Sequence, residues 1–278
     1  MRIIPSDTLY VKIDKEAVKK SGMLMASDTI PDKMVISLAG KRMLGKGQLM
    51  MLEMIAQCNW TRPLYVATTV GADNYMNLGD NFVQEGLAYR ITPFTTKNPG
   101  VKSFDTEKAY NNLMYRYKWG GLEKPGLYLD ETVMRMCYTH RHLFAMLALE
   151  LINEGKKDKA IKVLDKSLKV IPEYNVPMTF MSGASELARA YALAGQKAKA
   201  AKLLNAVWKN EEQYALWYLS LEGTRFTQAQ NDFLRQTIMM QSTAELTSLV
   251  DEKLASKRMQ RLNALYTAYR NKGGAELN

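Results

Sequence analysis

Glu85, Tyr89 and Arg90 stand within one short phrase, NFVQEGLAYRITP (residues 81–93), and Arg62 and Tyr65 within another, NWTRPLYVATTVG (59–71). A carboxylate, two guanidinium groups and two phenols form a complementary hydrogen-bonding set. Glu85 has two alternative partners, Arg90 and Arg62. Paired structurally, such groups pin strand ends at the edge of a sheet. The same five residues, Arg62, Tyr65, Glu85, Tyr89 and Arg90, would also suit a polar binding cluster at the carboxyl side of an α/β sheet, where ligands tend to sit. The structural reading is preferred.

Three other stretches invite a chemical reading. GKRMLGKG (40–47) matches G-x-x-x-x-G-K, whose backbone amides and lysine cradle phosphates. That chemistry needs a Ser or Thr next, to ligate magnesium, and Gly47 stands there. No nearby strand ends in a metal-binding Asp; the stretch reads as a flexible basic connection into a helix. CYTHRH (137–142) holds Cys137 and the chain's two histidines, His140 and His142. On a helix 137 and 140 share a face and 142 does not, while a closed metal site wants about four ligands. A surface or helix-packing role is preferred. Asp130 and Glu131 are adjacent, so they do not face each other on a regular element; Asp130 reads as an N-cap. No G-x-S-x-G is present. No catalytic residue, metal ligand or cofactor is assigned.

The chain that must position these groups has 278 residues, 47% hydrophobic and 24% charged. That is enough for more than one domain at the usual ~100–200 residues each. The net charge is +10, from 38 Lys and Arg against 28 Asp and Glu. Such a balance suits acidic partners in general, but the basic residues are scattered, as in GKKDKAIKVLDKSLK (155–169), and read as a solvated helix face rather than a nucleic-acid stripe. The two cysteines, Cys58 and Cys137, are not a disulfide framework; separate buried thiols are the preferred reading, with pairing left open. The longest apolar run, LFAMLALELI (143–152), is about half of the ~20 residues that a membrane helix needs. The opening stretch has no signal-peptide core. Taken alone, these features describe a cytosolic protein.

The fold class expected is α+β: a mixed α/β unit over 1–104, then an all-α array of tetratricopeptide-like helical hairpins over 105–278. LYVKI (9–13), MVISLA (34–39), PLYVATT (63–69) and LAYRIT (87–92) read as strands. QLMMLEMIAQC (48–58) reads as a helix with Leu49, Leu52 and Ile55 on one face. The strand–helix–strand order predicts a parallel crossover. Pro93, Pro99 and Gly100 then break the pattern, and Asp105 caps a helix over 105–117. Two later segments match at an offset of forty: LALELINEGKKDKAIKVLDKSL (147–168) and LARAYALAGQKAKAAKLLNAV (187–207). Leu147 aligns with Leu187, Ala148 with Ala188, Gly155 with Gly195, Ala160 with Ala200, Leu164 with Leu204. Small residues let two antiparallel helices approach, and the glycine turns the chain between them. The period exceeds the ~34 residues of tetratricopeptide repeats, and the usual tryptophan is replaced by Phe144 and Ala184. Residues 214–240 and 244–270 supply further helices, and the tail NKGGAELN is expected to fray.

Four phrases carry a family resemblance: the two quoted first, DTEKAYNNLMYRYKWGGL (105–122) and YLDETVMRM (128–136). Together they resemble the C-terminal soluble region of bacterial polytopic inner-membrane proteins whose membrane half is similar to protein O-mannosyltransferases, a C-type glycosyltransferase class. The resemblance spans about residues 30 to 210. It implies a fragment of a larger protein, placed on the periplasmic side of the inner membrane. Its partners would be the membrane-embedded half of the same polypeptide and a protein or glycan acceptor, with no nucleic acid. Catalytic acids of such transferases lie in the membrane half, so none is carried onto this chain. Alternatives are a free-standing tetratricopeptide-type scaffold and an enzyme using a nucleotide or sugar phosphate at GKRMLGKG.

Overall fold

The computed structural model describes residues 6–24, 29–97 and 102–275. Pro99, Gly100 and the last three residues of the tail lie outside them. Two compact units form, Met1–Tyr115 and Arg116–Asn278. The first therefore extends past residue 104, because the helix over 106–111 belongs with it.

In the first unit β1 (Thr8–Lys12) leads into α1 (Lys15–Lys20), capped by Asp14, whose carboxylate accepts from the Glu16 and Ala17 amides. β2 (Lys33–Ser37) alternates: Met34 and Ile36 are buried and their neighbours exposed. β1 and β2 pair antiparallel, Thr8 opposite Ser37 and Lys12 opposite Lys33. α2 (Lys46–Gln57) buries Leu52 and Ile55 beneath this sheet, but Leu49 is exposed, against the one-face expectation. The chain then reverses through Asn59 and Trp60, both at positive φ, and Trp60 is buried in the core with Phe82 and Ile91. That left-handed pair delivers the chain to β3 (Tyr65–Ala67). β4 (Phe82–Gln84) and β5 (Ala88–Ile91) complete a second sheet of order β3-β5-β4.

Among the described residues no parallel crossover forms. Both sheets are antiparallel throughout, apart from a single parallel bridge between Gln84 and Phe104. The helix α2 links a strand of one sheet to a strand of the other, so it is not a crossover within a sheet. α3 (Thr106–Asn111) is capped by Asp105 and runs on into a π-helical turn, Asn112–Arg116.

The second unit is helical. α4 (Glu131–Asn153), capped by Asp130, and α5 (Lys157–Val170) form one hairpin; α6 (Ala184–Leu193) and α7 (Lys197–Ser220) form another. Each turns on a left-handed glycine, Gly155 at φ 77° and Gly195 at φ 85°. The Lys156 amide donates to Leu151 O at 2.8 Å and the Gln196 amide to Tyr191 O at 2.8 Å, the same closure of the helix end. Ala148, Ala160, Ala188 and Ala200 are all fully buried, which lets the paired helices approach closely. α7 continues through Tyr214–Ser220, a stretch expected to open the next helix. α8 (Gly223–Thr247) and α9 (Glu252–Asn271) follow. Their core joins Phe226, Phe233, Leu262 and Tyr269, with Phe233 stacked on Tyr269 at 4.4 Å.

Three buried ionisable side chains, Arg141, Glu211 and Arg258, organise this unit. Arg141 on α4 is 0% exposed. Its Nη1 donates to Pro177 O and Ser182 O, and its Nη2 to Ile171 O and Val176 O, at 2.7–3.3 Å. One guanidinium thus fastens the α5–α6 connection to α4. Gly183 ends that connection at φ +79°, and a Cβ there would fall 2.9 Å from the His142 amide nitrogen. Burial lowers the Arg141 pKa to about 10, so it stays charged at neutral pH. Farther along, Glu211 of α7 accepts from Thr243 of α8 at 2.9 Å, and Arg258 of α9 donates to Thr247 and Asn205 while covering the Trp208 ring. Burial pushes the Glu211 carboxyl up to about 8.

A carboxyl whose folded pKa lies above its unfolded one holds its proton better when folded, so it opposes folding as pH rises through that window. Glu211→Gln removes this penalty. In urea titrations the variant is expected to gain stability over the wild type as pH rises from about 5 to 8.5, by on the order of 4 kcal/mol across that range. An unchanged difference across that range would show that Glu211 is ionised throughout.

Candidate functional site

The two phrases meet in the β3-β5-β4 sheet. Gly86, at φ +128°, turns the chain between β4 and β5, and the Glu85 amide donates to Ala88 O across the turn at 3.1 Å. Glu85 is thereby held at the end of β4, only 6% exposed. Register places Tyr65 opposite Arg90. The Tyr65 hydroxyl donates to Glu85 Oε2 at 2.8 Å, and Arg90 Nη1 approaches Oε1 at 3.4 Å.

The remaining partners come from elsewhere. Asp105 accepts from the Lys108 amide at 3.0 Å, which starts α3 and brings Lys108 back toward the turn. Lys108 Nζ lies 2.9 Å from Glu85 Oε1, 3.0 Å from Asp105 Oδ2 and 2.8 Å from Gly22 O. Arg90 Nη2 donates to Ser21 O at 3.1 Å, and Asn112 Nδ2 to Glu85 O at 2.7 Å. The cluster ties the end of α1, β3, the β4–β5 turn and α3 to one carboxylate.

Its charges balance, Glu85 and Asp105 against Arg90 and Lys108. Buried ions need such pairing and hydrogen bonding to offset lost hydration. Glu85 receives three side-chain donors, so it is poorly placed to take a proton from a substrate or to attack one. Among the described residues Arg90 Nε has no hydrogen-bond partner. The arrangement is a clasp. It does not sit at the carboxyl edge of a parallel sheet, because the sheet is antiparallel.

Arg62 and Tyr89 stand apart from the clasp. Arg62 is exposed, just before β3. Tyr89 points to the opposite face from its neighbour Arg90. It stacks on Phe82 at 5.8 Å and meets Tyr75 edge-on at 6.4 Å; burial raises its phenol pKa. Lys108 and Asn112 escaped the sequence reading. The only signal was the D-x-x-K spacing after the Asp105 cap, which fixes where Lys108 begins but not what it reaches.

The other stretches do not assemble a site. Lys46 is exposed in the first turn of α2, and Gln48 Oε1 caps the Gly45 amide at 3.0 Å. The strand before this loop lies in a two-stranded antiparallel sheet, unlike the parallel-sheet setting of phosphate loops. Cys137 is buried, which raises its thiol pKa. His140 packs edge-on against Trp119 at 5.7 Å, and burial lowers its pKa. His142 is exposed, with Nδ1 3.8 Å from Glu186. Among the described residues no three His, Cys, Asp or Glu side chains converge as a metal site requires. Both cysteines are free thiols.

Compared with known proteins, the chain matches one family profile, described as TMEM260-associated domain 2, over residues 1–109. The match covers both sheets of the first unit and ends within α3. It is consistent with a domain of a TMEM260-like protein. No curated protein and no solved structure shows significant similarity. Among the described residues no helix is long and apolar enough to cross a membrane.

The clasp geometry separates the two arginines. Arg90→Met leaves Glu85 partly unpaired in the interior and is expected to cost about 3 kcal/mol in urea unfolding, whereas exposed Arg62→Ala should stay within about 0.5 kcal/mol of the wild type. Equal losses would mean that Arg62 belongs to the cluster after all.

Proposed function

We propose that this chain is a non-catalytic accessory domain of a membrane-embedded glycosyltransferase-like protein, similar to protein O-mannosyltransferases, and lies on the periplasmic side of a bacterial inner membrane. The observation that carries the reading is the TMEM260-associated profile over 1–109, on a unit whose most concentrated polar residues are spent on each other. The phrases resembling that family's soluble region support it from the sequence side. Chemistry belongs to the membrane half; this domain contributes architecture and contact surface.

Its partners are the membrane-embedded half of the same polypeptide and a protein or glycan acceptor. The hairpins α4–α5 and α6–α7 support the second role. Stacked helical hairpins of the tetratricopeptide type present continuous surfaces suited to extended ligands. Their basic residues lie scattered on solvated faces, which disfavours nucleic acid.

The decisive experiment is to translate the native reading frame upstream of residue 1. The expected result is a series of apolar spans of about 20 residues each. A frame that opens at residue 1 without such spans would overturn the proposal and leave a free-standing helical scaffold in its place.

A further inference from the structure

An apolar groove of about 490 Å³ runs between β1 and α2. Leu9, Val11, Ile36 and Leu38 line it from the sheet, and Leu49, Leu52 and Ala56 from the helix. Leu49 is 54% exposed there. Glu53 is the single charged residue in the lining, and Gln57 Nε2 steadies its carboxylate at 3.0 Å.

The rim of this groove is an open strand edge. The antiparallel register and the flanking bonds, Leu38 N to Asp7 O and Ile13 N to Asp32 O, put the backbone groups of residues 7, 9, 11 and 13 toward β2. Those of Thr8, Tyr10 and Lys12 point the other way. Ser6 Oγ closes Thr8 by accepting from its amide at 3.2 Å and donating to its carbonyl at 2.9 Å. Tyr10 and Lys12 keep their outward amides and carbonyls unpaired among the described residues. Unpaired edges are templates for another strand, and most are short, charged or covered. Here the edge lies beside a helix, with an apolar trough between them.

We propose that this groove docks an extended peptide segment, which adds as a strand to β1 and sets alternate side chains into the trough. The backbone groups of Tyr10 and Lys12 dictate an extended polypeptide, since only a strand offers donors and acceptors at that spacing. The lining dictates apolar residues at alternate positions. Glu53 selects a Lys or Arg at the position facing it. The site is distinct from the clasp and from the helical hairpins, and it does not depend on the identity of the parent protein.

The test is selection of random displayed peptides on the 278-residue protein, followed by titration of the enriched sequences. Tyr10→Pro removes one outward amide and no bond of the β1–β2 ladder, a substitution that edge strands tolerate. Ala56→Arg, at an exposed helical position, fills the trough from the other side and keeps the test decisive should the proline variant not fold. The expected result is enriched peptides with alternating apolar residues and a basic residue, bound roughly tenfold more weakly or worse by either variant. The proposal is overturned if no peptide is enriched or if the enriched peptides bind both variants as well as the wild type. It is also overturned if the edge instead joins two copies of the chain, seen as a dimer that Tyr10→Pro dissolves.

Discussion

A charge buried in this protein has no water to turn to, so the chain must supply its counterpart on the spot, and much of the architecture follows from that constraint. Arg141 is the plainest case. Four carbonyls of the α5–α6 connection take the place of its hydration shell. Without the guanidinium those carbonyls would lose their donors, and the connection would lose its fixed path. The tight approach of Gly183 to the α4 backbone shows how closely the two are fitted. In the first unit Glu85 plays the same organising part with the opposite sign, drawing Tyr65, Arg90 and Lys108 inward.

These hubs explain why particular phrases occur where they do. The Arg-Pro before β3 is not a pairing group; it ends the reversal through Asn59 and Trp60 and starts the strand that carries Tyr65. Glu85 and Arg90 bracket the β4–β5 turn and close it from within. Of the polar residues that looked most like a site, Tyr65, Glu85 and Arg90 are therefore committed to each other, while Arg62 and Tyr89 stand apart. Among the described residues of the first unit the apolar groove beside β1 also remains open, bordered by the backbone groups of Tyr10 and Lys12 and by Glu53.

Much of this was legible in the sequence where the cause is local. The caps Asp105 and Asp130 satisfy amides three residues ahead, so residue type and spacing suffice. Gly155 and Gly195 turn where the matched segments require a left-handed residue. The alternation in β2 marks its buried face. Strand partnership was not legible, because alternation says which face is inward and nothing about which strand lies alongside; the expected parallel crossover became two antiparallel sheets. Arg141 and Lys108 were missed for a related reason. Apart from Asp105, three residues before Lys108, their acceptors are carbonyls and a carboxylate from 23 to 86 residues away, and a carbonyl has no residue type to read. Leu49 fitted the helical period of α2 but faces the groove.

The central claim is that the Glu85 cluster is architecture, and the most direct measurement is urea unfolding of Glu85→Gln in the full chain. Replacing the carboxylate leaves Arg90 and Lys108 without their shared counter-charge, so a loss of about 3 kcal/mol is expected. Residues kept for binding or catalysis often weaken the fold that carries them, and replacing them strengthens it. A Glu85→Gln protein as stable as the wild type, or more stable, would contradict the structural account and return this cluster to the status of a functional site.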